Sequence, residues 1–154
     1  MGAHPYWYVV PYEDPKIALR KLRQREFKAG RYYPAVEQPK FPVTDKSPAP
    51  GAQHKSIKEA LIDSDAEGTA SILDISKISP KPKFLCASPF DKAKLKEVLG
   101  HDTPAREEIL DPKGRLIPRI PSLYEGVARG EAIYMPFFKN RKPVELFFFG
   151  YSVD

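Results

Sequence analysis

The sequence has one cysteine, three histidines and no long apolar run, and each scarcity excludes a class of protein. Cys86 alone cannot form an internal disulfide and supplies no paired-cysteine zinc motif. The histidines, His4, His54 and His101, show no metal-ligand spacing, so we expect neither a metal nor a cofactor. The longest apolar runs, such as Leu146 to Phe149, are far shorter than the roughly 20 residues that a membrane-spanning helix needs.

Reaction motifs are also missing. The sequence contains no Walker-type phosphate loop, no dinucleotide-binding glycine pattern, no His-Glu-x-x-His and no nucleophile elbow.

Its first residues, Met1 to Ala3, lead straight into an aromatic segment without the basic flank or cleavage site of a signal peptide. We therefore expect a cytoplasmic protein that does not enter a membrane.

What the sequence does contain is typical of a folded chain. Hydrophobic residues make up 42% of it and aromatic residues 12%, which is ordinary globular usage despite seventeen prolines. A length of 154 residues fits a single compact domain.

The net charge of +5 is unevenly distributed. The segment from Asp14 to Arg31 contains seven basic residues and two acidic ones, a net of +5, so the rest of the chain is neutral. This segment is the first place to look for an acidic partner.

The first thirty residues predict a strand followed by a well-bounded helix. Tyr6 to Val10 is aromatic and β-branched, which is typical of a short buried strand. Asp14 supplies an N-cap oxygen, Pro15 favours the first helical position, and Gly30 is placed to end the helix.

The next fifty residues are less regular. Prolines interrupt residues 34–55, which predicts a long and flexible surface loop. Ser56 and Glu59 form a capping box for a short helix that continues to about Asp63. Ala70 to Ile75 could form a strand or a helical turn, because periodicity cannot separate the two at this length; we favour a strand.

The following segment predicts short elements in alternation. Phe84 to Ala87 is a candidate buried strand, and Ser88 with Pro89 predicts the start of a helix that ends at Gly100. A similar pair, Thr103 and Pro104, predicts a further helix ending before Pro112. Ser122 and Glu125 are expected to cap a last short helix that Gly130 closes.

The C-terminus carries the clearest strand signal. Glu131 to Phe138 and Val144 to Tyr151, joined through residues 139–142, predict a β-hairpin. The second strand is apolar on both faces, so we expect it to be central or covered on both sides. The predicted fold is a single α+β domain with a small, mainly antiparallel sheet, in which the N-terminal strand pairs near the hairpin and several short helices pack on the sheet.

Two groups of residues are candidate functional sites. Glu26 interrupts the apolar stripe of the first helix, and Arg31, Tyr32 and Tyr33 follow close behind it. Such a set could bind a phosphorylated or nucleotide-like ligand, with Glu26 as acceptor or general base. The alternative is structural, with Glu26 paired to a nearby arginine and the tyrosines anchoring the loop.

The second group is the basic face of the first helix, which comprises Arg20, Lys21, Arg23 and Lys28. This face could hold an acidic protein or the phosphates of a nucleic acid, or it could be an ordinary solvated surface.

These observations lead to three ranked hypotheses. The first is a protein-interaction module, of an accessory or immunity-like kind, that binds an acidic partner through the basic helix. The second is an enzyme or toxin-like effector that acts on a nucleotide or nucleic acid through Glu26, Arg31, Tyr32 and Tyr33. The third is a sequence-independent nucleic-acid binder.

Overall fold

The computed structural model describes residues 3–118 and 120–154; Met1 and Gly2, on which the expectation of no signal peptide partly rests, lie outside them. The elements along the described chain are β1 (Pro5–Pro11), α1 (Pro15–Ala29), β2 (Val43–Thr44), α2 (Ile57–Ser64), β3 (Lys77–Ile78), β4 (Cys86–Pro89), α3 (Lys92–Leu99), α4 (Arg106–Ile109), β5 (Ala132–Lys139) and β6 (Lys142–Tyr151). Short 3₁₀ turns cover Asp65–Glu67, Ile72–Asp74 and Pro121–Tyr124.

The six strands form one sheet in the order β2-β1-β6-β5-β4-β3. β6 is antiparallel to both β1 and β5, whereas the outer pairs β1–β2, β4–β5 and β3–β4 are parallel. The predicted α+β class is confirmed, and the sheet is mixed rather than purely antiparallel. The connections from β1 to β2 and from β4 to β5 contain helices, and such crossovers return the chain in the same direction. The parallel strands β3 and β4 are instead joined by the irregular residues 79–85.

The sheet is covered on both faces. Side chains alternate along a strand, so neighbouring residues of β1 and β6 enter two different cores. One core is made with α1 and includes Tyr6, Tyr8, Leu19, Leu22, Leu146 and Phe148. The other is made with α3, α4 and the last 3₁₀ turn and includes Trp7, Leu95, Ile109, Leu123, Phe147 and Phe149. The predicted central position of the last strand is therefore confirmed.

The helix α1 begins and ends where the sequence predicts. Asp14 Oδ1 accepts hydrogen bonds from the backbone N–H groups of Lys16, at 2.9 Å, and Ile17, at 3.3 Å. Gly30 ends the helix with φ 75°, and a Cβ atom there would lie 2.1 Å from the carbonyl oxygen of Gly51. Only glycine fits this position, because it combines left-handed backbone with a close approach of the loop.

The C-terminal hairpin is also confirmed. β5 and β6 are joined by Asn140 and Arg141, whose φ values are 52° and 64°. Two consecutive left-handed residues match the tight hairpin turns that follow the right-handed twist of paired strands.

The strand predicted at Ala70 to Ile75 is wrong, because Ile72–Asp74 forms a 3₁₀ turn instead. Ser71 Oγ accepts from the N–H of Leu73, and Asp74 Oδ1 accepts from both the N–H and the hydroxyl of Thr69 at 2.8 Å. These local bonds to the backbone compete with strand pairing.

The boundaries predicted between residues 84 and 130 are partly wrong. β4 occupies Cys86–Pro89, two residues later than expected, and its pairing with β5 uses the Ser88 and Pro89 that were predicted to begin a helix. Asp91 caps α3 instead, and the helix ends at Gly100 as predicted. The two further predicted helices are shorter than expected: α4 has four residues, and the segment at Ser122 is a 3₁₀ turn.

The segment 34–55 is irregular apart from β2, whose Val43 pairs with Tyr6 of β1. Its flexibility stays a prediction. The longest helix in the described part of the chain, α1, has 15 residues and a strongly polar outer surface, and none of the helices described there could span a bilayer.

Candidate functional site

Glu26 is completely buried and fully paired. Its Oε1 accepts a hydrogen bond from Arg31 Nε at 2.8 Å, and its Oε2 accepts from Arg31 Nη2 and Arg25 Nε, both at 2.9 Å. Arg31 thus forms a two-pronged contact across the helix end, and this bonding raises the pKa of its guanidinium.

The pairing decides what Glu26 can do. A general base needs an oxygen within reach of a substrate proton, and both Glu26 oxygens already face guanidinium groups. A buried carboxylate requires such partners, since removing one partner from a buried pair costs about 3–5 kcal/mol. The geometry therefore favours a structural role, in which the ion pair between Glu26 and Arg31 holds the residues after α1 against the helix.

The neighbouring residues Tyr32 and Tyr33 lie in different surroundings. Tyr32 is buried and stacks on Phe27 of α1 with 5.7 Å between ring centroids. Tyr33 lines a separate cavity with Glu67, whose carboxylate raises the pKa of the Tyr33 phenol through a hydrogen bond and its charge. The structure brings Glu26 and Arg31 together but does not gather all four predicted residues into one pocket.

A hydrogen-bonded chain that the sequence did not predict runs from Tyr32 to Asp63. The Tyr32 hydroxyl lies 2.8 Å from His54 Nδ1, and His54 Nε2 lies 2.8 Å from Asp63 Oδ2. The backbone N–H of Gln53 donates to the same hydroxyl at 3.2 Å. The only sequence signal was the presence of a histidine in a long loop.

This Tyr–His–Asp chain resembles a catalytic relay in its distances but not in its burial. A relay exposes the nucleophile and buries the carboxylate that orients the histidine. Here the residue Tyr32 is 1% exposed, whereas the Asp63 side chain is 62% exposed. We therefore assign these hydrogen bonds a structural role: they hold the end of the loop, at His54, against α2.

The four predicted partner-binding residues of α1 divide into two pairs. Arg20 and Arg23 lie on the side of the helix that faces β3. Lys21 points away and pairs with Glu13 at 3.0 Å, and Lys28 is exposed in the last turn. At about 100° per residue, Lys21 and Lys28 lie on a different side of α1 from Arg20 and Arg23.

An open groove of about 530 Å³ runs between α1 and β3, and we call it the basic groove. Four cationic residues line it, namely Lys16, Arg20, Arg23 and Lys77, together with Leu19, Ser76 and Ile78. Among the described residues, no acidic side chain belongs to this lining. From Lys16 to Arg23 the helix contributes charges over roughly 10 Å, at 1.5 Å per residue.

Arg23 is the anchored member of the groove. Its Nη2 donates to the carbonyl oxygen of Leu73 at 2.8 Å, and its buried Nε has no partner among the described residues. Burial lowers the pKa of the guanidinium, and the nearby Asp74 charge acts in the opposite direction. Arginine stays charged in proteins, so Arg23 contributes a permanent positive charge to the groove.

The sequence did not predict the contribution of β3. Lys77 belongs to residues 75–90, which contain three lysines and no acidic residue. The residues outside α1 have a net charge of zero in total, so this sum hides the local excess of positive charge in residues 75–90. The fold places this second basic segment beside the first; a local charge count reveals the segment but not its position next to α1.

Within residues 3–118 and 120–154, no three His, Cys, Asp or Glu side chains form a group able to hold a metal ion. No family model matches the sequence, and comparisons with curated proteins and with solved structures give no match. The function of this chain is therefore inferred from its own geometry.

Proposed function

We propose that this protein is an interaction module that holds an acidic segment of a partner protein in the basic groove. The observation that carries the proposal is the convergence of Lys16, Arg20, Arg23 and Lys77 on one open groove, where no acidic residue is found among the described lining residues. Like charges repel when they are brought together, so a fold that gathers four of them favours an anionic occupant.

The remaining groove residues favour a peptide over a nucleic acid. Leu19 and Ile78 offer apolar surface between the charges, which suits the apolar side chains of an acidic peptide. Single-stranded nucleic acids are usually held by aromatic side chains on which the bases stack. None of the described residues that line the basic groove is aromatic.

The partner is expected to bind through its side chains rather than as an added strand. β3 is the last strand of the sheet on this side, but only Lys77 and Ile78 are paired. The residues that follow include Pro80, Lys81, Pro82 and Lys83, and prolines and lysines at a sheet edge oppose strand addition.

The test uses fluorescence anisotropy with a labelled acidic decapeptide of Glu and Ser residues that carries two central Leu residues, called the Glu-Ser peptide. A double variant, Arg20→Glu with Lys77→Glu, reverses two exposed groove charges, and we expect at least about tenfold weaker binding because two attractive pairs become repulsive. Binding of the wild type should also weaken as salt is added.

The matched control is Lys21→Glu with Lys28→Glu, which changes the net charge equally but outside the basic groove. We expect this control to retain most of the affinity. Equal losses in both variants would show that binding follows net charge and not the groove. Tighter binding of a twenty-nucleotide oligothymidine than of the peptide would overturn the choice of an acidic protein segment.

A further inference from the structure

A second cavity lies where the loop after α1 folds back towards β2. It measures about 250 Å³, and its walls include Val36, Pro39, Phe41, Pro42 and Pro48. We call it the proline pocket. These walls are apolar, and proline side chains lose little conformational entropy when a ligand covers them.

Two cations line the same pocket. Arg31 is largely buried, with 12% of its side chain exposed, and Lys40 is exposed at the loop. In the part of the chain that the structure describes, no acidic residue belongs to the lining. Glu26 engages Nε and Nη2 of Arg31, while Nη1 makes no hydrogen bond to any described residue.

The charges around the pocket favour a single negative charge on the ligand. Arg25 and Arg31 are offset by Glu26 and by Asp45, which lies 4.0 Å from Arg25. Lys40 takes part in no ion pair with a described residue, and its positive charge is then the excess. One excess positive charge suits a monoanion better than a polyphosphate, which would bring several negative charges into a mostly apolar pocket.

The volume restricts the ligand further. A dry cavity of about 150 Å³ is enough to bind benzene, and typical drug-sized ligands occupy pockets of roughly 300–1,000 Å³. A pocket of about 250 Å³ therefore holds one aromatic ring with a short side chain. A nucleotide is too large for it.

We propose that the proline pocket binds a small aromatic monocarboxylate, with the ring against the prolines and the carboxylate on Arg31 and Lys40. The double contact with Glu26 fixes the Arg31 guanidinium in advance, so binding does not have to order it. This site is separate from the basic groove and does not depend on the function proposed for that groove.

The experiment is an NMR titration of the uniformly ¹⁵N-labelled chain with 3-phenylpropionate. We expect saturable shifts at millimolar ligand that centre on the amides of Val36, Phe41 and Ser47. The neutral amide 3-phenylpropionamide has the same ring without the charge, and we expect it to bind about tenfold more weakly.

Two variants test the location. Val36→Trp fills the pocket from a half-buried position and should abolish the shifts. Lys40→Gln removes the exposed cation, which does not contribute to the core. It should weaken the binding of 3-phenylpropionate several-fold and reduce the difference in affinity between 3-phenylpropionate and 3-phenylpropionamide. Lys58→Gln, on the exposed surface of α2, serves as the matched control and should bind as the wild type does.

Three results would overturn the proposal. They are equal affinity for the acid and the amide, the same shifts with inorganic phosphate alone, and shifts that centre on another part of the chain. Because Lys40→Gln changes an exposed loop residue, the test does not depend on whether Val36→Trp folds.

Discussion

Asp74 is a buried acid whose two oxygens have different surroundings. Oδ1 accepts two hydrogen bonds from Thr69, whereas Oδ2 has no hydrogen-bond partner among the described residues. Burial raises the pKa of this carboxyl, and the bonds from Thr69 and the charge of Arg23 only partly oppose that shift. Folding therefore favours the neutral acid.

This shift predicts a pH dependence for Asp74→Asn. A raised folded-state pKa means that the contribution of Asp74 to stability is complete at low pH and is lost as pH rises through that pKa. Asparagine keeps an oxygen for Thr69 and cannot ionise. We expect the unfolding free energy of the variant, relative to the wild type, to increase from pH 4 to pH 7 in urea titrations.

The control for this experiment is Asp65→Asn, which changes an exposed acid in the neighbouring turn. Its effect should vary little over the same pH range. If the unfolding free energy of Asp74→Asn relative to the wild type falls as pH rises, Asp74 is stabilised as a carboxylate and the predicted sign is wrong.

The turn between β5 and β6 offers a prediction for an element. Arg141 has φ 64°, a conformation that costs a residue with a side chain roughly 1 kcal/mol and costs glycine little. We expect Arg141→Gly to stabilise the protein by about 0.5–1 kcal/mol, measured as a higher urea midpoint at an unchanged slope.

A neighbouring substitution separates turn geometry from chain flexibility. Lys142 begins β6, where glycine weakens a strand. Lys142→Gly should therefore destabilise the protein while Arg141→Gly stabilises it. The same sign for both variants would show that the left-handed turn does not determine the effect.

Local capping chemistry predicted both ends of α1, although the same kind of signal at Ser88 and Pro89 was wrong for the start of α3. Asp14, Pro15 and Gly30 act on backbone within a few residues of themselves, so α1 has the predicted bounds. Ile72–Asp74 could not be predicted in the same way. Its apolar side chains suit a strand or a turn, and bonds from Thr69 and Ser71 select the turn.

The same distinction holds for the candidate sites: contacts set by local spacing could be predicted, and contacts between distant segments could not. The helical spacing of Arg20 and Arg23 predicted that they share a side of α1, and they do. Lys77 is more than fifty residues away, and nothing in its surroundings in the sequence indicates that β3 lies beside α1. The contact between Tyr32 and His54 likewise depends on the path of an irregular loop.

At the scale of the whole molecule, α1 lies near both proposed binding sites, which are at opposite edges of the sheet. The basic groove borders β3, and the proline pocket includes Val43 of β2. β2 and β3 are the two outermost strands of six, so they are separated by roughly 24 Å at about 4.8 Å per strand.

This separation predicts that the sites act independently. Effects of changes more than about 10 Å apart without shared partners usually add. We expect Val36→Trp to leave the affinity for the Glu-Ser peptide unchanged within about twofold, measured by anisotropy. A larger change in a folded variant would show that α1 couples the two sites.

The loop after α1 is attached at its far end as well as at its start. The Gly51 amide donates to the carbonyl oxygen of Ala29 at 2.9 Å, and His54 holds Tyr32. A protease cut between Asp45 and Pro48 would therefore sever the polypeptide without separating the pieces. The N-terminal fragment would stay bound, because β1 remains hydrogen-bonded along β6 in the other fragment.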